Sequence, residues 1–265
     1  MRHGIRIGIC LSGGAALLLT ACSSASDSSN VLNVPLHTPT ATSTSTGVAG
    51  APSTVPSGTK PATAAQLKAV VVQASEVPAG WQAAPPSDDD SDDPDDAADS
   101  AQLAKCLDAR DTSADILVNV DSAQFILGDA TIDSSATSYR SQDSINSDVA
   151  TLRNPKLSGC WTPVLRKAFE SGLTSTDVAV DATVDASSVR VELNPSGQPS
   201  NVAAIVDWTT KITAYGQKLP VYVRMVFIAG PLIEAEVTGA NYGAPLPSSI
   251  LNPLIAKVAA RANKA

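Results

Sequence analysis

The chain has 265 residues, with 26 acidic against 18 basic side chains, a net charge of −8, and only two histidines and four cysteines. No basic cluster stands out from that acidic balance, which excludes nucleic acid as a partner. His3 and His37 both precede residue 65, so the rest of the chain can build neither a Ser-His-Asp triad nor a histidine-based zinc site.

Arg2 and Arg6 precede a mostly apolar stretch of 13 residues, Ile7 to Leu19. A bilayer-spanning helix needs about 20, whereas the length and basic flank suit the h-region of a secretory signal peptide. Leu19-Thr20-Ala21-Cys22 then resembles the lipobox of bacterial lipoproteins. In that family the cysteine is acylated on its sulfur and becomes the new N-terminus. The resemblance implies a signal peptide over 1–21, lipid attachment at Cys22, and a mature protein held to the cell membrane at its extracytoplasmic face. Two or three acyl chains, at about 0.8 kcal/mol per buried CH₂, make a stable anchor.

Residues 22–64 read as a tether. From 23 to 64 there are nine Ser, eight Thr and five Pro, with only Asp27 and Lys60 charged. Too little apolar surface is present to offset the entropy of folding, so the segment is expected to stay disordered.

Residues 65–265 are long enough for one core and read as a single domain. Its acidic loop, 87–99, holds eight aspartates. Asp88, Asp90, Asp92 and Asp99 fall at positions 1, 3, 5 and 12 of an EF-hand-like spacing. Position 6 is Asp93 rather than the required Gly, and position 12 is not Glu. The run is therefore expected to be an extended, solvated loop and only a weak cation candidate. No cofactor is implied. Cys10 leaves with the signal peptide and Cys22 takes lipid, so Cys106 and Cys160 remain, and in an oxidising compartment they should pair.

The periodicity predicts a helix over 65–75, with Leu67, Val71 and Ala74 on one side. Trp81 of Glu76-Val-Pro-Ala-Gly-Trp81 packs back on it as a plug. A short helix runs through Cys106, and strands follow over 122–127 and 136–139. Ser141 caps a helix carrying Ile145, Val149 and Leu152. Another starts at Thr162-Pro163, with proline at its first position. The second half is strand-rich: 178–184, 188–193, 202–213 and 221–228. Gly230-Pro231 turns the chain into a strand with Ile233, Ala235 and Val237. Asn252-Pro253 opens a closing helix with Leu254, Ile255 and Val258. The expected class is α+β, an antiparallel sheet packed with helices and one disulfide.

Glu76–Trp81, the stretch Ser135 to Cys160 and the segment Leu219 to Gly230 resemble exported actinobacterial lipoproteins of uncharacterised or sensor-like type. Their domain is similar to the PsbP/Mog1-like sandwich. The resemblance implies a non-enzymatic accessory or sensor-like binding module with an envelope protein as partner. The alternative is a carrier of a lipid or other hydrophobic ligand, in a pocket lined by Leu165, Phe169, Val221, Val223, Met225 and Phe227. On the opposite strand face, Tyr222 and Arg224 are expected to lie diagonal to Glu234 and Glu236.

Overall fold

The computed structural model describes residues 59–84, 102–110, 112–174, 183–214 and 217–265, with backbone alone at 165, 167–174, 183–187, 214 and 217. Cys22, the tether up to residue 58, and Asp88, Asp90, Asp92 and Asp99 lie outside these residues. The elements in chain order are α1 (Ala64–Val70), β1 (Gln82–Ala84), α2 (102–107), β2 (Ile116–Asp121), β3 (Gln124–Leu127), β4 (Ala130–Tyr139), α3 (Gln142–Leu152), α4 (Leu157–Thr174), β5 (Thr183–Leu193), β6 (Val202–Ala214), β7 (Gln217–Gly230), β8 (Ile233–Tyr242) and α5 (Ser248–Ala262).

The eight strands form one antiparallel sheet in the order β1-β3-β4-β8-β7-β6-β5, and β2 also pairs with β4. The fold is α+β. Side chains alternate between the two faces of a strand, and each face has its own core. On the first face, Leu103 and Leu107 of α2 and Leu157, Trp161 and Val164 of α4 pack on Val206, Trp208, Val223, Met225 and Phe227. On the second face, α1 and α5 pack on Ile132, Val226, Ile228, Ile233 and Val237 through Leu67, Leu254, Ile255 and Val258. Among the described residues no helix is long and apolar enough to cross a membrane.

Several boundaries differ from the sequence reading, each for a local reason. Helix α1 starts with a capping box, in which the Gln66 N–H donates to Thr63 Oγ1 at 3.4 Å and the Thr63 N–H to Gln66 Oε1 at 2.9 Å. It stops at Val70, not residue 75, where three consecutive β-branched valines begin. Arg261 of α5 takes over the freed carbonyls. Its Nε donates to Val70 O and its Nη2 to Val71 O, both at 3.0 Å, while the guanidinium also holds Glu76.

Helix α4 begins at Leu157, five residues before Thr162. Asn154 starts it early, accepting the Lys156 N–H on its side chain and the Leu157 N–H on its carbonyl, both at 2.9 Å. Pro163 therefore sits inside the helix, where it cannot donate to the Gly159 carbonyl. Likewise α5 begins at Ser248, because the Pro247 carbonyl accepts the N–H groups of Ile250 and Leu251, and Pro253 is interior. Strand β2 was not anticipated. It opens on three consecutive apolar residues, Ile116 to Val118, which blur the alternation of Val118 and Val120 with Asn119 and Asp121, and Leu117 is exposed.

The end of β7 runs against the last turn of α5. A Cβ on Gly230 would collide with the Ala262 carbonyl. Gly230→Ala is expected to cost about 1–3 kcal/mol in urea unfolding. Gly159→Ala, in open space on α4, should be neutral or slightly stabilising.

Candidate functional site

Strand register brings together side chains that are far apart in sequence. On the second face, Arg190, Asp207, Arg224 and Gly239 form one row across β5, β6, β7 and β8, and Ser188, Thr209 and Tyr222 form the next. Helices α1 and α5 cover the β4–β8 side of this face. Among the described residues, what remains over β5–β7 is a groove of about 310 Å³, walled by Pro245 and Leu246 ahead of α5. Gly239 makes this wall possible, since a Cβ there would sit 2.8 Å from Leu246 Cδ1.

The groove floor is organised by a forked ion pair. Arg224 Nε donates to Asp207 Oδ1 at 2.7 Å and Nη2 to Oδ2 at 3.0 Å. Asp207 thereby raises the already high pKa of the guanidinium, against an opposing effect of burial. Arg190, the other cross-strand neighbour of Asp207, makes only a loose pair with Glu192 at 3.6 Å. The open part of this face also carries Lys211 and Lys218. Within the groove, the strand register sets Arg190 and Arg224 on either side of Asp207.

The first face has a polar half beyond its core. Glu234 lines up with Thr137 and Asn119, Glu236 with Ser135 and Asp121, and Thr238 with Asp133. At one end Glu234, Tyr139 and Asp148 of α3 hydrogen-bond one another, and Thr112 Oγ1 donates to both Asp148 oxygens at 2.9 and 3.1 Å. Two hydrogen-bonded carboxyls must share a proton. Burial, then the charge of Asp148, pushes the Glu234 carboxyl well above its usual range. Its Oε2 is buried without a partner. Further along, burial and then the charges of Glu236 and Asp121 raise Asp133 strongly. Burial likewise lifts Glu236 to about 7, although Thr238 Oγ1 donates to it at 2.6 Å.

This register corrects one expectation. Glu234 and Glu236 do not lie diagonal to Tyr222 and Arg224. They pair with Ala229 and Phe227, which puts them on the opposite face, and Arg224 takes Asp207 of β6 instead.

Val221, Val223, Met225 and Phe227 do share a face, and each is at most 2 % exposed. They belong to the core of that face, with the Phe227 ring centroid 6.3 Å from that of Trp161. Leu165 and Phe169 lie on α4, and their side chains are outside those described. Cys106 and Cys160 are disulfide-bonded, tying α2 to α4 with a Cα–Cα distance of 5.7 Å. Among the described residues no group of three or more Asp, Glu, His or Cys is placed to hold a metal ion.

Sequence reasoning missed Asp207 as the partner of Arg224, and Arg190 as the residue across Asp207 from it, because only strand pairing joins β5, β6 and β7. It also missed Asp148. The Ile145, Val149, Leu152 spacing marked the inward side of α3, yet Asp148 is 1 % exposed and Val149 is half-buried. A comparison with models of known protein families and with curated proteins finds no match to this chain.

Proposed function

We propose that this protein is a non-enzymatic binding module of the bacterial cell envelope. In this reading it is anchored by lipid on Cys22 and acts as an accessory or sensor-like lipoprotein. The observation that carries the reading is the groove over β5–β7, an open, charged concavity on an otherwise helix-covered face. Its position suits a tethered binder. The chain enters the domain at α1, which packs on β2, β4 and α5, while the groove lies at the other edge of the sheet. The carrier alternative drew on Val221, Val223, Met225 and Phe227, and these are engaged in packing with Trp161 and Trp208. The module reading is therefore preferred.

A photo-crosslinking residue at Ser188, in the full lipidated chain in cells, tests it. A discrete adduct is expected, weakened by Arg224→Gln and missing when the crosslinker sits at Lys68 on α1. Labelling no different from the Lys68 control would count against the groove. Native mass spectrometry of envelope-purified protein separates the two readings, because a stoichiometric bound lipid would favour the carrier.

A further inference from the structure

We infer that the groove over β5–β7 binds an anionic carbohydrate, a sugar ring bearing a carboxylate or a phosphate. The inference rests on reading this groove as the binding site and names the chemistry it would take. Three observations support it.

The first is size. About 310 Å³ is at the lower end of the range for small-ligand pockets, roughly 300–1,000 Å³. Such a volume takes one or two rings rather than a folded partner.

The second is the pattern of polar groups. The Arg190–Asp207–Arg224 row runs beside the hydroxyls of Ser188, Thr209 and Tyr222. Hydroxyls both donate and accept, which matches a polyol, and the Asp207 carboxylate offers the acceptor that vicinal sugar hydroxyls need. An apolar peptide side chain laid on this floor would leave those groups desolvated and unpaired.

The third is charge. The bonds to Asp207 use Nε and Nη2 of Arg224, and the guanidinium, one third exposed at 33 %, keeps Nη1 for another acceptor. Arg190, with its side chain 75 % exposed, is across Asp207 from it. Guanidiniums suit a carboxylate or phosphate edge-on, the strand register sets Arg190 and Arg224 on either side of Asp207, and the forked pair holds Arg224 still before the ligand arrives.

The experiment is calorimetric titration of the mature, lipidated protein in detergent with D-glucuronate, glucose 6-phosphate, D-glucose and inorganic phosphate. Both anionic sugars are expected to bind at least ten-fold more tightly than glucose or phosphate alone. Arg224→Gln should weaken them at least five-fold. Arg190→Gln, on an exposed side chain whose loss cannot unfold the domain, should do the same. Failure of both anionic sugars to saturate, phosphate binding as tightly as the sugar phosphate, or an unchanged Arg190→Gln variant would each overturn the inference. If those failures occur while the Ser188 crosslinker still gives its adduct, the sugar assignment falls and the binding-module reading survives.

Discussion

The protein is expected to lose stability as the pH rises from about 4.5 to above 7. Glu236 titrates near 7 in the folded state against 4.5 for an ordinary glutamate, and burial raises Asp133 and Glu234 as well. Between those values the folded chain binds protons that the unfolded chain has released. Stability must then fall with rising pH. The contribution is fully present below 4.5 and is lost as the pH passes through 7. For Glu236 alone, a shift from 4.5 to about 7 corresponds to about 3 kcal/mol. Glu76 behaves in the opposite sense. Burial acts to raise it, but hydrogen bonds from Arg261 and the Gln73 N–H win and lower it. Its stabilisation is lost only on acidification below the usual carboxylate range, outside this window. Urea unfolding at pH 5 and pH 8 should find the parent weaker at pH 8, by about 2–3 kcal/mol from Glu236 alone. Glu236→Gln should flatten the slope and stabilise the protein at pH 8. A midpoint that does not move between those pH values would refute the raised titration of Asp133, Glu234 and Glu236.

Breaking the disulfide should have an effect of similar size. Cys106 and Cys160 are 54 residues apart, and closing such a loop contributes about 4 kcal/mol by the chain-entropy estimate, an upper figure. Helix α2, over residues 102–107, is too short to persist alone. Its Leu103 and Leu107 nevertheless belong to the core over β6 and β7, so the cross-link fixes a core contribution. Cys106→Ser and Cys160→Ser should each cost about 2–4 kcal/mol, and the double variant about the same, because all three remove one bond. Two reactive thiols on titration of the unfolded, unreduced protein would show that the pair is not formed in solution.

The sequence was most legible where one face of an element is uniformly apolar. Val221, Val223, Met225 and Phe227 alternate without interruption, and their common face is the observed one. The Gly230-Pro231 turn is likewise as read, because few other conformations suit that dipeptide. Legibility failed where a long-range contact decides the outcome. Nothing near Val70 says that Arg261, almost the whole domain away, will donate to its carbonyl. Alternation also told that Glu234 and Glu236 share a face without telling which one. The apolar Ile233, Ala235 and Val237 take the α1–α5 side, leaving both acids to the α3 side, where Asp148 meets Glu234. Prolines misled twice. Pro163 and Pro253 were read as first helical residues, and side-chain and carbonyl acceptors upstream had already begun each helix.

The Arg261 clamp has a mechanical consequence. A pull on the chain ahead of Thr63 is delivered to α1, whose far end is fastened by the Arg261 guanidinium to Val70, Val71 and Glu76. The Val72 N–H is fastened in turn to Ser134 Oγ of β4 at 2.8 Å. Tension is thus passed into α5 and the middle of the sheet by several bonds loaded together. Those bonds resist far more than the same number broken one after another. Strands β5 and β6 lie at the other edge of the sheet from that line of force.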